Sequence, residues 1–272
     1  MVVFPNAKIN LGLNVVERRP DGYHNIETVF YPIGLSDILE VEQSESRSDY
    51  SFSSSGITLA GDQEENLIVK AYRLLRSEYK FMTVDISLCK QIPFGAGLGG
   101  GSSDAAFMLK TLNELFGLKI KTKKLEYLAA KLGADCPFFI RNKAVFASGI
   151  GNVFTPIDLS LKDYFFVLVK PDIHVSTQEA YSLVLPEKPE ISLVDLINNP
   201  IAKWKDVIKN DFEKSVFVKH PAIKKIKIDL YDMGAVYASM SGSGSSVFGI
   251  FETVPENVDI FSDYFVTGGM LQ

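Results

Sequence analysis

Cysteine and histidine are scarce in this chain. Cys89 and Cys136 are the only cysteines among 272 residues, too few for a disulfide scaffold or a cysteine zinc site. Both have apolar neighbours, which suits buried free thiols in a reducing compartment. His24, His174 and His220 stand far apart, with no pair at metal-ligand spacing. Positive charge is not in surplus either. The net charge is −5 and the pI near 5.4, so the strong basic face required for nucleic-acid binding is not expected. A local basic pocket for an anionic ligand stays open. Long apolar runs are missing: YFFVLV at 164–169 is far short of a membrane span. The opening MVVFPNAKIN has no basic segment leading into an apolar run, so no signal peptide and a cytoplasmic location are expected. Repeats and low-complexity tracts are absent too.

What is present is ordinary for a folded chain. Hydrophobic residues make up 46% and charged residues 22%, enough for one large domain or two modest ones. Residues 2–60 read as strands, with alternation and β-branched residues in AKINLGLNVVER, NIETVFYPI and DILEVEQ. The serine-rich stretch 44–56 reads as a hairpin or mobile loop. Leu67, Ala71, Leu74 and Leu75 then recur at helical spacing. TVDISLCKQI is a strand, ended by Pro93. A second apolar stripe, Ala105, Met108, Leu109, Leu112, Leu115 and Phe116, predicts a helix that Ser102 or Ser103 can cap and Gly117 can stop. Another helix is expected over 122–132, then loops and strands. The pattern restarts near 160 with the strand YFFVLVKP and helical segments around 176–185, 192–198, 211–219 and 221–232. GAVYASMSGSGSSVFGIF closes as strand, Gly/Ser turn, strand. The expectation is two α+β domains, 1–157 and 158–272.

Between the strand ending at Pro93 and the following helix lie five glycines: Gly95, Gly97, Gly99, Gly100 and Gly101. Glycine admits positive φ and close backbone approach. A helix N-terminus presents unpaired N–H groups and a positive dipole end. Strand, glycine loop and helix therefore predict an anion site, with phosphate as the natural guest. A Walker loop requires lysine and then Ser/Thr after its last glycine, whereas Gly101 is followed by Ser102 and Lys110 comes too late. A dinucleotide fingerprint is formally matched by Gly95, Gly97 and Gly100, but a second helix follows where a strand is needed. A bare tight turn would need fewer glycines.

PFGAGLGGGSSDAA (93–106) resembles the phosphate-binding motif of the GHMP small-molecule kinases. AKINLGLNVVERRPDGYHNIETVF (7–30), LGADCPFFI (132–140) and SGSGSSVFGIF (241–251) resemble other segments of that family, in order and across nearly the whole chain. The RRPDGYH portion points to a branch that phosphorylates a cytidine-diphosphate-linked alcohol in isoprenoid precursor biosynthesis. The resemblance implies a two-domain GHMP kinase fold. Its N-terminal domain would be ribosomal S5 domain 2-like and its C-terminal domain ferredoxin-like, with the active site in the cleft between them. It implies ATP and Mg²⁺ as cofactors and direct in-line transfer without a phospho-enzyme.

Residue by residue, the resemblance implies a catalytic Lys8, which on its own reads as an edge-strand charge. It makes Asp135 a general base, although Asp135 also suits a helix N-cap ahead of Pro137. The phosphate cradle would be Pro93, Phe94, Gly95, Ala96, Gly97, Leu98, Gly99, Gly100, Gly101, Ser102 and Ser103, with a Mg²⁺ ligand left open between the two serines. Asn66 and Lys90 would lie near the adenine, or serve as N-cap and strand-end charge. Tyr23 and His24, after the Asp21-Gly22 turn, would stack on and read a cytosine, with Tyr181 as a second stacking surface and Asn10 near the reacting end. Gly242 and Gly244 would let a second loop close. Asn152 stands where the family pattern has an acidic residue. The alternatives are a kinase of the homoserine or mevalonate type, a non-catalytic nucleotide or sugar sensor on the same fold and, remotely, a nicotinamide oxidoreductase.

Overall fold

Strict alternation at 83–90 builds the first sheet: Val84, Ile86 and Leu88 are buried while Asp85 and Ser87 face out. The computed structural model describes residues 1–45, 49–58 and 62–271. In chain order the strands are β1 (Val2–Val3), β2 (Asn6–Arg18), β3 (His24–Ser36), β4 (Ile38–Ser44), β5 (Tyr50–Gly56), β6 (Thr83–Lys90), β7 (Val145–Ser148), β8 (Val153–Pro156), β9 (Phe165–Lys170), β10 (Tyr237–Met240), β11 (Val247–Phe251) and β12 (Phe265–Met270). The α-helices are α1 (Leu67–Glu78), α2 (Gly100–Leu115), α3 (Thr122–Ala130), α4 (Cys136–Arg141), α5 (Thr177–Tyr181), α6 (Leu193–Ile197), α7 (Trp204–Val207), α8 (Glu213–Lys219) and α9 (Pro221–Asp232). Two compact units divide them, each assembled from separated stretches of chain.

Unit one comprises Met1–Ala7, Leu35–Phe94 and Gly99–Lys143. Its sheet has the order β1-β4-β6-β5. The serine-rich stretch is not a hairpin. Residues 46–48 lie outside the described part, and Tyr50–Gly56 forms a strand parallel to β6, from Tyr50 opposite Val84 to Gly56 opposite Lys90. A parallel partner demands a crossover, and α1 supplies it. Asn66 caps α1 by accepting a bond from the Ile68 N–H at 2.9 Å. Of the expected α1 stripe Ala71 and Leu75 are buried and Leu67 and Leu74 half-buried, with Ile68, Val69 and Tyr72 completing the buried face; on α2 Ala105, Met108, Leu109 and Leu112 are buried as their spacing demands. Leu115 and Phe116, at the end of the stripe, are only half-buried. Gly117, at φ +57°, ends α2 as expected.

Unit two comprises Lys8–Gly34, Gly95–Leu98 and Ala144–Gln272. One sheet has the order β2-β3-β7-β8, the other β10-β11-β9-β12 with every pairing antiparallel. Numbered within β9–β12, the second order is 2-3-1-4, the ferredoxin-like arrangement of a split βαβ unit. Helical segments follow its first strand, and the 3₁₀ turn Val258–Phe261 occupies the second helical position. Val167, Val169, Val216, Ile223, Ile226, Leu230 and Val247 form the core. The α+β expectation, with a ferredoxin-like sheet toward the C-terminus, thus holds.

Candidate functional site

The glycine loop shows why side chains are excluded from it. Gly95, Gly97 and Gly99 have φ of +60°, +75° and +71°, conformations that cost an L-residue roughly 1–2 kcal/mol each. Between them Ala96 and Leu98 are buried. Positive-φ glycines therefore alternate with apolar anchors. Gly99 is the cap residue of α2, with no side-chain cap, and its carbonyl accepts the Ser103 N–H at 2.9 Å. The caps expected at Ser102 or Ser103 are not formed, because α2 begins at Gly100 and both serines lie inside its first turns. Ser103 Oγ is buried with no hydrogen-bond partner among the described residues. Ser102 is half-buried and its hydroxyl lies near the Cys136 thiol, which burial pushes up to about 11.

The head of α2 thus lies beside the segment carrying Asp135. Asp135 sits at the cap position of α4, with φ −81° and ψ −18°, and its carboxylate makes no capping bond to the helix. Pro137 occupies the first turn as expected. Asp135 itself is half-buried.

Within unit two, the Gly97 carbonyl is a meeting point. Lys8 Nζ donates to it at 2.9 Å and Ser241 Oγ donates to it at 2.9 Å. Lys8 is no solvent-facing edge charge: it is 4% exposed. Its ammonium also donates to Asn10 Oδ1 at 2.7 Å and lies 4.8 Å from the centre of the Phe30 ring. Asn10 is held in turn by donating from Nδ2 to Thr28 Oγ1 at 3.0 Å. Asn210, buried, clamps the second glycine loop by donating from Nδ2 to the carbonyls of Met240 and Gly242 at 2.8 and 2.9 Å. Sequence reasoning missed Ser241, Thr28 and Asn210. Only Ser241 had a signal, its place in the SGSGSS run.

Gly97 has no room for a side chain. A Cβ there would stand 2.0 Å from the Ser241 carbonyl oxygen. We expect Gly97→Ala to destabilise the protein by about 2–4 kcal/mol, from lost left-handed tolerance plus overpacking. Gly101→Ala, whose Cβ would meet only Leu67 Cδ1 at 3.7 Å, should lie within about 1 kcal/mol of wild type. Urea denaturation of both variants checks the contrast; equal effects would contradict it.

The residues expected near a base fall into two groups. In unit one a cavity of about 260 Å³ is lined by Asn66, Leu67, Leu88, Phe94, Gly101 and Asp104, among others. Phe94 is 66% exposed, an aromatic face open to stacking. Lys90 does not line this cavity. It is buried, and its ammonium donates to Asp37 and, at 2.7 Å, to Asp104 Oδ2. In unit two His24 stacks on Tyr181, with centroids 4.5 Å apart at 19°. Tyr181 meets Phe212 edge-on at 4.7 Å, and burial raises its hydroxyl above the ordinary tyrosine range. Tyr23 is 64% exposed, at the end of a turn in which the Asp21 carboxylate accepts its N–H at 3.1 Å. Asn152 closes the turn after β7, its Oδ1 accepting the Ile150 N–H at 3.3 Å.

No group of three or more His, Cys, Asp or Glu able to hold a metal occurs among the described residues. No helix among them is long and apolar enough to cross a membrane.

Comparison with known proteins identifies the family. The model of the GHMP kinases N terminal domain matches residues 66–143, and that of the GHMP kinases C terminal domain matches 192–259. The 4-diphosphocytidyl-2-C-methyl-D-erythritol kinase of Parabacteroides distasonis is 57% identical over 100% of both chains. That of Bacteroides fragilis is 59% identical over 92% of each. A crystal structure of 4-(cytidine 5'-diphospho)-2C-methyl-D-erythritol kinase matches with a TM-score of 0.85 at 33% identity, covering 100% of this chain and 99% of that one. Methanococcus jannaschii mevalonate kinase, at 16% identity and a TM-score of 0.63 over 100% and 98% of the chains, shares the fold alone.

Proposed function

The chain belongs to the 4-diphosphocytidyl-2-C-methyl-D-erythritol kinases of the GHMP kinase family, and on that premise we propose that Lys8 and Asp135 serve transfer of the γ-phosphoryl group of ATP to the 2-hydroxyl of 4-diphosphocytidyl-2-C-methyl-D-erythritol. The observation that most supports this reading is the meeting of Lys8, Asn10 and Ser241 around the Gly97 carbonyl. It holds an ammonium against the glycine loop, and such a charge is what a developing alkoxide requires.

Asp135 accepts the proton of the attacking hydroxyl, and Lys8 offsets the charge that grows on that oxygen. Phosphoryl transfer passes through a loose transition state, so both groups act chiefly by position and charge. The hydroxyl oxygen bonds to the γ-phosphorus as the bond to the ADP oxygen breaks. No protein nucleophile is needed. The polyphosphate rests on the loop from Pro93 to Ser103, and the adenine enters the cavity lined by Asn66, Leu67 and Phe94. The cytosine lies along the His24–Tyr181 stack, with Tyr23 covering it.

Magnesium fits this arrangement as a phosphate-bound ion, since it keeps several waters and needs only one or two protein oxygens. Ser102, half-buried at the head of α2, would be the hydroxyl to hold it, since Ser103 Oγ is buried. When bound, the ion neutralises charge on the β- and γ-phosphate oxygens.

ADP release measured with the cytidylyl alcohol, homoserine and mevalonate tests the substrate assignment. Turnover is expected with the first alone. A comparable kcat/KM for homoserine or mevalonate would refute it.

A further inference from the structure

Residues 170–176 form a pinned strap beside the first glycine loop, and one exposed imidazole stands on it. The Pro171 carbonyl accepts the Ile173 N–H at 2.7 Å, a γ-turn over Asp172. The Ile173 carbonyl accepts Ser245 Oγ at 2.6 Å, which fastens the strap to the second glycine loop. Val175 is buried in the unit-two core. Ser176 caps α5 by accepting the Glu179 N–H at 3.1 Å. His174 lies between the pinned Ile173 and the buried Val175, yet it is exposed. Its ring rests against Gly95: a Cβ on that glycine would stand 3.4 Å from His174 Nδ1 and 3.5 Å from Cε1.

The order of these contacts is what matters. After His174 the strap runs into α5, where Tyr181 stacks on His24. On its other side His174 touches Gly95, two residues before the Gly97 carbonyl that holds Lys8. In this succession of contacts the imidazole therefore comes between the base-stacking residues and the lysine of the reacting end, all within unit two. A substrate with a nucleobase at one end and a reacting alcohol at the other has its diphosphate in between. An imidazole offers at least one N–H donor whether neutral or charged, and donors to phosphate form the stronger class of hydrogen bond.

We propose that His174 is a specificity-determining residue that donates a hydrogen bond to the diphosphate of the cytidylyl substrate, an assignment that rests on the function proposed above. Calorimetric titration of wild type, His174→Ala and His174→Asn with CDP, cytidine and ADP tests it, with KM and kcat measured alongside. His174→Ala should weaken CDP about tenfold or more, the loss expected for one bond to a charged group. Cytidine and ADP should stay within about twofold, and His174→Asn, which keeps a donor, should recover part of the loss. KM for the cytidylyl alcohol should rise by a similar factor, with kcat nearly unchanged. Unchanged CDP affinity in His174→Ala overturns the assignment. So does a loss confined to ADP, which would move the contact to the triphosphate. If wild type binds ADP but neither CDP nor the cytidylyl alcohol, the function proposed above falls, and this assignment with it.

Discussion

Asp135→Asn is expected to lower kcat by about 100- to 1,000-fold while leaving ADP affinity within about threefold of wild type. The lower part of the general-base range applies because the transition state is loose, so the carboxylate orients the hydroxyl more than it pulls on it. Asp135 makes no capping bond to α4, so the substitution removes no cap. The amide keeps the shape of the carboxylate but cannot take a proton. Lys8→Met should cost at least as much, because it also removes a donor to the Gly97 carbonyl and a partner of Asn10. If the two side chains act on one hydroxyl, their effects will not add. The double variant should then be no worse than about tenfold below the weaker single, since groups that act as a unit are non-additive. Steady-state ADP release and ADP titration on the four proteins decide the matter. A kcat for Asp135→Asn within about threefold of wild type would remove Asp135 from the chemistry.

Much of this architecture is legible in the amino-acid sequence, and the reasons are local. Glycine in place of any L-residue signals positive φ, and Gly95, Gly97 and Gly99 adopt it. The apolar stripe on α2 and the alternation on β6 report their partners because burial of one face imposes the period. The strand β5 is not legible in this way. YSFSSSG is exposed along most of its length, so no apolar period marks it. What orders it is a parallel partner beyond the crossover α1, with Ser51 against Asp85 and Ser53 against Ser87. The closing strand β12, with two glycines in FVTGGM and half of its residues exposed, is likewise silent. Ser241 and Asn10 meet across 231 positions of chain, a contact that no local pattern reports. Lys90 is the instructive case. A charged residue near a strand end suggests an exposed position, yet Lys90 lies in phase with Val84, Ile86 and Leu88. The period of two assigns it to the core.

Lys90→Met should accordingly be among the most destabilising single substitutions in unit one, by about 3–5 kcal/mol, the cost of stranding buried charge. Lys90 is 2% exposed and lies between two buried carboxylates. Asp37 is fully engaged: besides Lys90 it accepts the Gln91 and Ile92 N–H groups at 2.6 and 2.8 Å. Asp104 is not, since its Oδ1 has no hydrogen-bond partner among the described residues. One ammonium thus serves two carboxylates, and Asp104 bears the imbalance. Burial pushes its carboxyl up to about 7, only partly opposed by Lys90. The raised value means that the folded state holds a proton which the unfolded chain releases near pH 4. The stabilisation is complete below about pH 4 and is lost as pH rises to about 7. Asp104→Asn removes that dependence. It keeps an acceptor for Lys90 and leaves a neutral Lys90–Asp37 pair, so it should raise stability at pH 8 by a few kcal/mol. The gain should shrink as the pH falls toward 5, where the native carboxyl is itself protonated. Urea unfolding of wild type, Lys90→Met and Asp104→Asn at pH 5 and pH 8 reads all of this. If Asp104→Asn is destabilised at pH 8 as severely as Lys90→Met, the ionised Asp104 is a net support of the fold and the charge argument fails.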